Sequence, residues 1–170
     1  VIEALDYEGV LDGELVVMRD GKMASFSDLQ QRLNRKSVDP RLMRDFPAGI
    51  RAYDLLADGD EDTRHLPFAE RRKRLEAFVD KVRSPRIDLS PMQPFRDWEE
   101  LTRLRADPPP GDPQIAEGLM LKRWTSIYEA GRPKGPWFKW KRDPHLVDAV
   151  LMHAQRGHGK RSSFYSDYTF

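Results

Sequence analysis

The chain has 170 residues, 39% hydrophobic and 34% charged, which is long enough to bury one substantial core in a globular domain. It contains no cysteine, which excludes disulfide scaffolds and thiolate metal sites. No apolar run approaches the ~20 residues needed to cross a bilayer, so a soluble, cytoplasmic chain with no membrane partner is expected. Net charge is only +1, but it is unevenly spread: residues 122–170 hold ten Lys/Arg against four Asp/Glu (+6), leaving −5 for residues 1–121. A basic C-terminal stretch with Trp, Phe and Tyr interleaved suits a phosphate backbone, although an ordinary asymmetric surface gives the same count.

In chain order, VLDGELVV (10–17) alternates as a strand whose polar face carries Asp12 and Glu14. That pair is close enough to share a divalent cation or a ribose, or is simply a solvated outer face. SFSDLQQRLNR (25–35) reads as a short helix with Ser25 or Ser27 as N-cap. GIRAYDLLADGDED (49–62) reads as a strand ending in an Asp-Gly turn, with Tyr53 on the face opposite Ala52 and Asp54. LPFAERRKRLEAFVDKV (66–82) predicts a helix with Pro67 near its start and Phe68, Leu75, Phe78 and Val79 facing a core. RIDLSP (86–91) is a short strand, and FRDWEELTRLRAD (95–107) is a helix stopped by Pro108, Pro109 and Pro110.

Four strand-like runs follow: IAEGLMLKR (115–123), PWFKWKRD (136–143), LVDAVLMHAQ (146–155) and SSFYSDYTF (162–170). In the second, alternation puts Trp137, Lys139 and Lys141 on one face and Phe138 and Trp140 on the other. Two ammonium groups facing the same space form either a solvated basic edge or an anion clamp. In the first run, Glu117 and Lys122 have odd spacing and would face opposite sides of a regular strand. Either a bulge at Gly118 reunites them or only one meets a ligand. The last two runs flank RGHGKR as a β-hairpin with a basic tip. This is not a Walker A loop, because Ala154 and Arg161 stand where that motif needs Gly and Ser or Thr. His65, His145, His153 and His158 show no metal-binding spacing, and no serine nucleophile elbow is present.

The order LDGELV, AYDLL, EGLMLK, WFKWK resembles the nucleotidyltransferase motif series of ATP-dependent DNA ligases. The stretch from residue 131 to the C-terminus is similar to a bacterial, damage-response ligase type associated with a helicase and an exonuclease. The resemblance implies the C-terminal part of an α+β, ATP-grasp-like adenylation domain with antiparallel sheets over residues 1–143, followed at 144–170 by the first hairpin of an OB-fold barrel. The family's chemistry has three steps: a lysine attacks the α-phosphate of ATP, AMP passes to the 5′-phosphate of a nick, and the 3′-hydroxyl displaces AMP.

By motif, Glu14 would contact the nucleotide or a metal, Tyr53 would stack on adenine, and Glu117 would help to position Mg2+ or Mn2+. Lys122, Lys139 and Lys141 would neutralise phosphate charge, with Lys139, Lys141 and Glu117 as the catalytic set. Arg132 and Lys134 would add nucleotide or DNA contacts, and Arg156, Lys160 and Arg161 would meet DNA. The implied partners are ATP, nicked duplex DNA and, within one repair system, the helicase and exonuclease. A monomer in the bacterial cytoplasm, near the nucleoid, is expected. The chain has no K-x-D-G sequence, so the attacking lysine is expected upstream of Val1 and the OB strands beyond Phe170. Alternatives are an mRNA-capping guanylyltransferase or RNA ligase, and a noncatalytic nucleic-acid-binding module.

Overall fold

A computed structural model describes residues 7–33, 35–107, 117–131, 134–144 and 146–170. Its largest sheet is built on two long antiparallel strands, β1 (Gly9–Arg19) and β3 (Ala48–Asp58). β1 folds back through Asp20 and Gly21, both at positive φ, onto the short β2 (Lys22–Met23), the backbone a two-residue hairpin turn requires. The far edge of β3 pairs antiparallel with β4 (Glu61–Asp62) and parallel with β5 (Ile87–Leu89). β6 (Gly118–Lys122) and β7 (Trp137–Lys141) form a second, antiparallel sheet. β8 (His153–Arg156) and β9 (Tyr165–Thr169) form a hairpin around a 3-10 turn at Gly159–Arg161.

Among the described residues, four α-helices accompany the sheets. α1 (Phe26–Gln30) starts at Ser25, whose hydroxyl accepts from the Asp28 N–H while the Asp28 carboxylate accepts from the Ser25 N–H, a reciprocal cap. α2 (Pro40–Asp45) is capped by Asp39, and α4 (Trp98–Ala106) by Asp97. α3 (Phe68–Val82) has no side-chain cap. Instead, the Phe68 and Ala69 N–H groups donate to the carbonyls of Ser126 and Trp124, so the chain after β6 satisfies the helix end. α3 buries Leu75 and Phe78 against Ala52, Leu55 and Ile87, each such burial contributing about 1.5–3 kcal/mol.

The α+β arrangement with antiparallel sheets is as expected from sequence, with a parallel β3–β5 pair added. Several expected elements differ. The helix expected over 25–35 ends at Gln30, and the one expected from Phe95 begins only at Trp98, where Asp97 supplies the cap. The strand expected over 146–155 is confined to His153–Arg156, with Leu146, Val147 and Val150 exposed and unpaired in any strand. α2 and β2 were not foreseen. Pro108 to Pro110 and His145 lie outside the described residues.

The β1–β3 register decides what faces the site. Asp12 stands opposite Asp54 and Gly13 opposite Ala52, so pairing skips Tyr53. This bulge interrupts alternation. It corrects the expectation that Asp54 shares a face with Ala52: Ala52 joins the core while Asp54 turns toward the Asp12 side, alongside Tyr53.

Candidate functional site

On the β1–β3 face, the Tyr53 hydroxyl donates to Glu14 Oε2 at 2.6 Å. Burial raises the pKa of this phenol far above its usual value, reinforced by the bond to Glu14 and its charge. Asp12 accepts a longer bond, 3.4 Å, from the Tyr128 hydroxyl. The carboxylate face inferred for residues 12 and 14 therefore meets two tyrosines.

Beside it lies a buried charge cluster. Asp54 and Arg71 are fully buried and joined by two bonds, Nε to Oδ1 at 2.8 Å and Nη2 to Oδ2 at 2.9 Å. Arg71 also donates to the carbonyls of Leu66 and Ser126, and Asp54 Oδ1 accepts from the Leu55 N–H. Every side-chain nitrogen and oxygen of the pair thus has a hydrogen-bond partner, as burial demands. Lys122 reaches this cluster from β6: its Nζ lies 3.6 Å from Asp54 Oδ2 and 4.3 and 4.7 Å from the ring centroids of Trp137 and Phe68. Desolvation lowers the Lys122 pKa, opposed by the charges of Asp54 and Asp12 and aided by that of Arg71. Trp137 is itself held by its indole N–H donating to Ser126 Oγ at 2.9 Å and by edge contact with Tyr128, 5.3 Å between centroids.

The β6–β7 register sets Lys122 opposite Trp137, Met120 opposite Lys139 and Gly118 opposite Lys141, so all three lysines share a face. Gly118, at φ +143°, breaks alternation at the strand's start. Glu117 thereby turns onto the lysine face, where Oε2 lies 3.0 Å from Lys141 Nζ and 3.2 Å from Lys139 Nζ. The odd spacing of Glu117 and Lys122 is resolved by this bend. Lys141 and then Lys139 hold the Glu117 carboxyl below its usual pKa.

On the other face, Phe138 and Trp140 line a groove of about 370 Å³ with Trp98 and Leu121. Arg105 of α4 secures the strand end. It donates twice to Asp143, at 3.1 and 3.0 Å, and once to the Lys141 carbonyl at 2.9 Å, while stacking 4.9 Å from the Trp140 centroid.

Of the residues expected from sequence, Glu14 and Tyr53 are in mutual contact, as are Glu117, Lys139 and Lys141. Lys122 joins the buried cluster instead. Lys134 is exposed ahead of β7 and enters none of these contacts, and Arg132 lies outside the described residues. Arg156 leans on Tyr165, 5.8 Å from its centroid, and Lys160 and Arg161 are exposed on the 3-10 turn. Sequence reasoning missed Asp54, Arg71, Tyr128 and Arg105. For Arg71 a signal existed: it lies three residues after Phe68 and four before Leu75, inside the apolar stripe of α3.

The family model for the ATP dependent DNA ligase domain matches residues 2–141. A probable DNA ligase of Koribacter versatilis is 32% identical, covering 99% of this chain and 32% of that protein. DNA ligase 1 of Korarchaeum cryptofilum is 34% identical over 95% of this chain and 28% of its own length. The crystal structure of the ligase domain from M. tuberculosis LigD superposes with a TM-score of 0.55 at 29% identity, covering 80% of this chain and 38% of that one. A mycobacterial DNA ligase D complexed with ATP and MES gives 0.54 at 28% identity, over 78% of this chain and 37% of that one. The chain spans about a third of the length of these curated relatives. With most of its residues inside the matched model, the chain belongs to the ATP-dependent DNA ligase family.

Proposed function

We propose that this chain forms the base- and phosphate-facing part of an ATP-dependent ligase's adenylation domain, in a protein that seals nicks in duplex DNA. The observation that carries the reading is the gathering of Lys122, Lys139, Lys141 and Glu117 on one face of β6–β7. This face is tied through Trp137 and Tyr128 to Asp12 of β1, and through Lys122 to Asp54 of β3. Three ammonium groups there suit a polyphosphate. Tyr53 offers its ring to adenine while its hydroxyl steadies Glu14.

The donor set fits a divalent cation that arrives with phosphate. Among the described residues no group of three or more acidic, His or Cys side chains could hold a metal ion. Mg2+ commonly takes one or two carboxylates plus substrate oxygens. Glu14 and Glu117 would provide those carboxylates, and the ion would supply charge neutralisation at the phosphates. Glu117 now occupies Lys139 and Lys141. An incoming phosphate takes its place, which frees the carboxylate for the cation. Lys134 and Arg132 extend the nucleotide contacts. Beyond Asp143, residues 144–170 form the first hairpin of a DNA-binding barrel, with Arg156, Lys160 and Arg161 meeting the sugar-phosphate backbone.

A cytoplasmic monomer working on nucleoid DNA beside a helicase and an exonuclease completes the reading, supported by the C-terminal resemblance; co-purification from cells tests it. The site is tested by calorimetric titration of the 170-residue chain with ATP and GTP, with and without Mg2+. Binding of ATP in preference to GTP is expected, and Lys139→Ala or Lys141→Ala should each weaken it roughly tenfold, the scale of one charge-assisted contact. Nucleotide indifference together with salt-dependent binding of nicked DNA would replace this reading with the noncatalytic module.

A further inference from the structure

We propose that Asp54 and Arg71 are positioning residues for Lys122: the guanidinium of α3 pins the buried carboxylate, and the carboxylate holds the ammonium where a nucleotide's phosphate reaches it. The inference rests on the nucleotide reading above and adds to it two residues outside the expected motif roles. Its basis is the contact geometry in a confined space. Asp54 and Arg71 already neutralise one another, with two bonds between them and further bonds to backbone. A fold-stabilising pair is complete at that point, and a third buried charge of either sign costs desolvation.

Lys122 is nonetheless added, its side chain only 10% exposed, 3.6 Å from Asp54. With Asp12, opposite Asp54 on β1, also acting on the ammonium, the charges of Asp54, Asp12, Arg71 and Lys122 balance, and Asp54 is the carboxylate in contact with Lys122. Two aromatic faces, Trp137 and Phe68, cradle the ammonium without neutralising it. The other carboxylate acting on it is Asp12 of β1, which accepts a bond from the Tyr128 hydroxyl. A caged ammonium held at a fixed position is complementary to an anion. The geometry also links α3 to the site, because Ser126 accepts from Arg71 and Phe68 through its carbonyl and from Trp137 through its hydroxyl.

The test is a double-mutant cycle on Mg2+-ATP affinity of the 170-residue chain. Asp54→Asn combined with Arg71→Gln keeps a hydrogen-bonding pair of similar shape but removes both charges. It should weaken ATP binding roughly tenfold, and in a Lys122→Gln background it should add no further loss. A loss that recurs undiminished in that background would overturn the proposal, because the pair would then act other than through Lys122. If the neutral pair does not fold, Arg71→Lys takes its place: it keeps the charge but not the two-point grip, and the same cycle applies with a several-fold loss.

A second readout needs no nucleotide. Titration of the Lys122 ε-methylene by NMR should show a lower midpoint in the neutral-pair variant, because Asp54 supports the charged form more than Arg71 opposes it. An unmoved midpoint overturns the positioning role. Absence of ATP binding by the unaltered chain would instead defeat the nucleotide reading, while the NMR titration still decides the positioning.

Discussion

Lys122 and the pair Lys139/Lys141 lie on one face of the same two-stranded sheet in opposite electrostatic settings. The first is caged by two aromatic rings and a buried carboxylate that is itself gripped by an arginine. The other two are exposed and share a single exposed carboxylate. Desolvation governs the first site, so its geometry is set during folding and removing a partner is expensive. Solvent screens the second, so its ion pairs are worth little to stability and are readily exchanged for a ligand. A nucleotide site built this way has one preorganised cation and two adaptable ones.

The largest effect should follow from breaking the caged end. Arg71→Met leaves Asp54 buried with the Leu55 N–H and Lys122 as its partners. A loss of about 3–5 kcal/mol is expected, a large part of a typical domain's stability of roughly 5–15 kcal/mol. Urea denaturation measures it, and a loss below ~1 kcal/mol would mean that the pair is not desolvated as described.

An intermediate effect is expected at Gly118, where φ is +143° and an added Cβ would press on the Trp140 carbonyl and lie 2.7 Å from Lys141 Cα. Gly118→Ala should cost about 1–3 kcal/mol and move Glu117 off the lysines. NMR titration of Glu117 should then show its pKa return upward toward the ordinary ~4.3; a value that stays depressed would mean the bend does not deliver Glu117 to the lysine face.

The smallest stability effect belongs to Glu117→Gln, below ~1 kcal/mol for an exposed pair. Because Lys141 and Lys139 lower the folded-state pKa of Glu117, its contribution is complete above the unfolded value and disappears as pH falls through the folded one. The variant should lack that acid-limb dependence in its denaturation profile. It should also bind metal-free ATP several-fold more tightly, since no carboxylate competes for the lysines. Weaker metal-free binding would contradict the exchange described for the exposed pair.

Much of this architecture was legible in the sequence. Period-two alternation placed Lys139 and Lys141 together, and the DGE run placed Glu14 on a strand's polar face. The stripe Phe68, Leu75, Phe78 identified the helix on the core. Asp54 was not legible because a one-residue register skip at Tyr53 reverses the face that alternation assigns to it. Glu117 was ambiguous for the same kind of reason, resolved only by backbone conformation at Gly118. The contact between Tyr128 and Asp12 spans 116 residues of sequence, beyond any local pattern. The Asp20-Gly21 hairpin turn and the Asp39-Pro40 helix start were different: both carried recognisable local signals.

The most direct test of the account is an NMR titration of the 170-residue chain with Mg2+-ATP, following backbone and lysine side-chain resonances. Shifts concentrated at Glu14, Tyr53, Lys122, Lys139 and Lys141, with Asp54 and Arg71 following Lys122, are predicted. Shifts confined to β8–β9, or spread evenly over surface lysines and arginines, would contradict a nucleotide site on the lysine face of β6–β7.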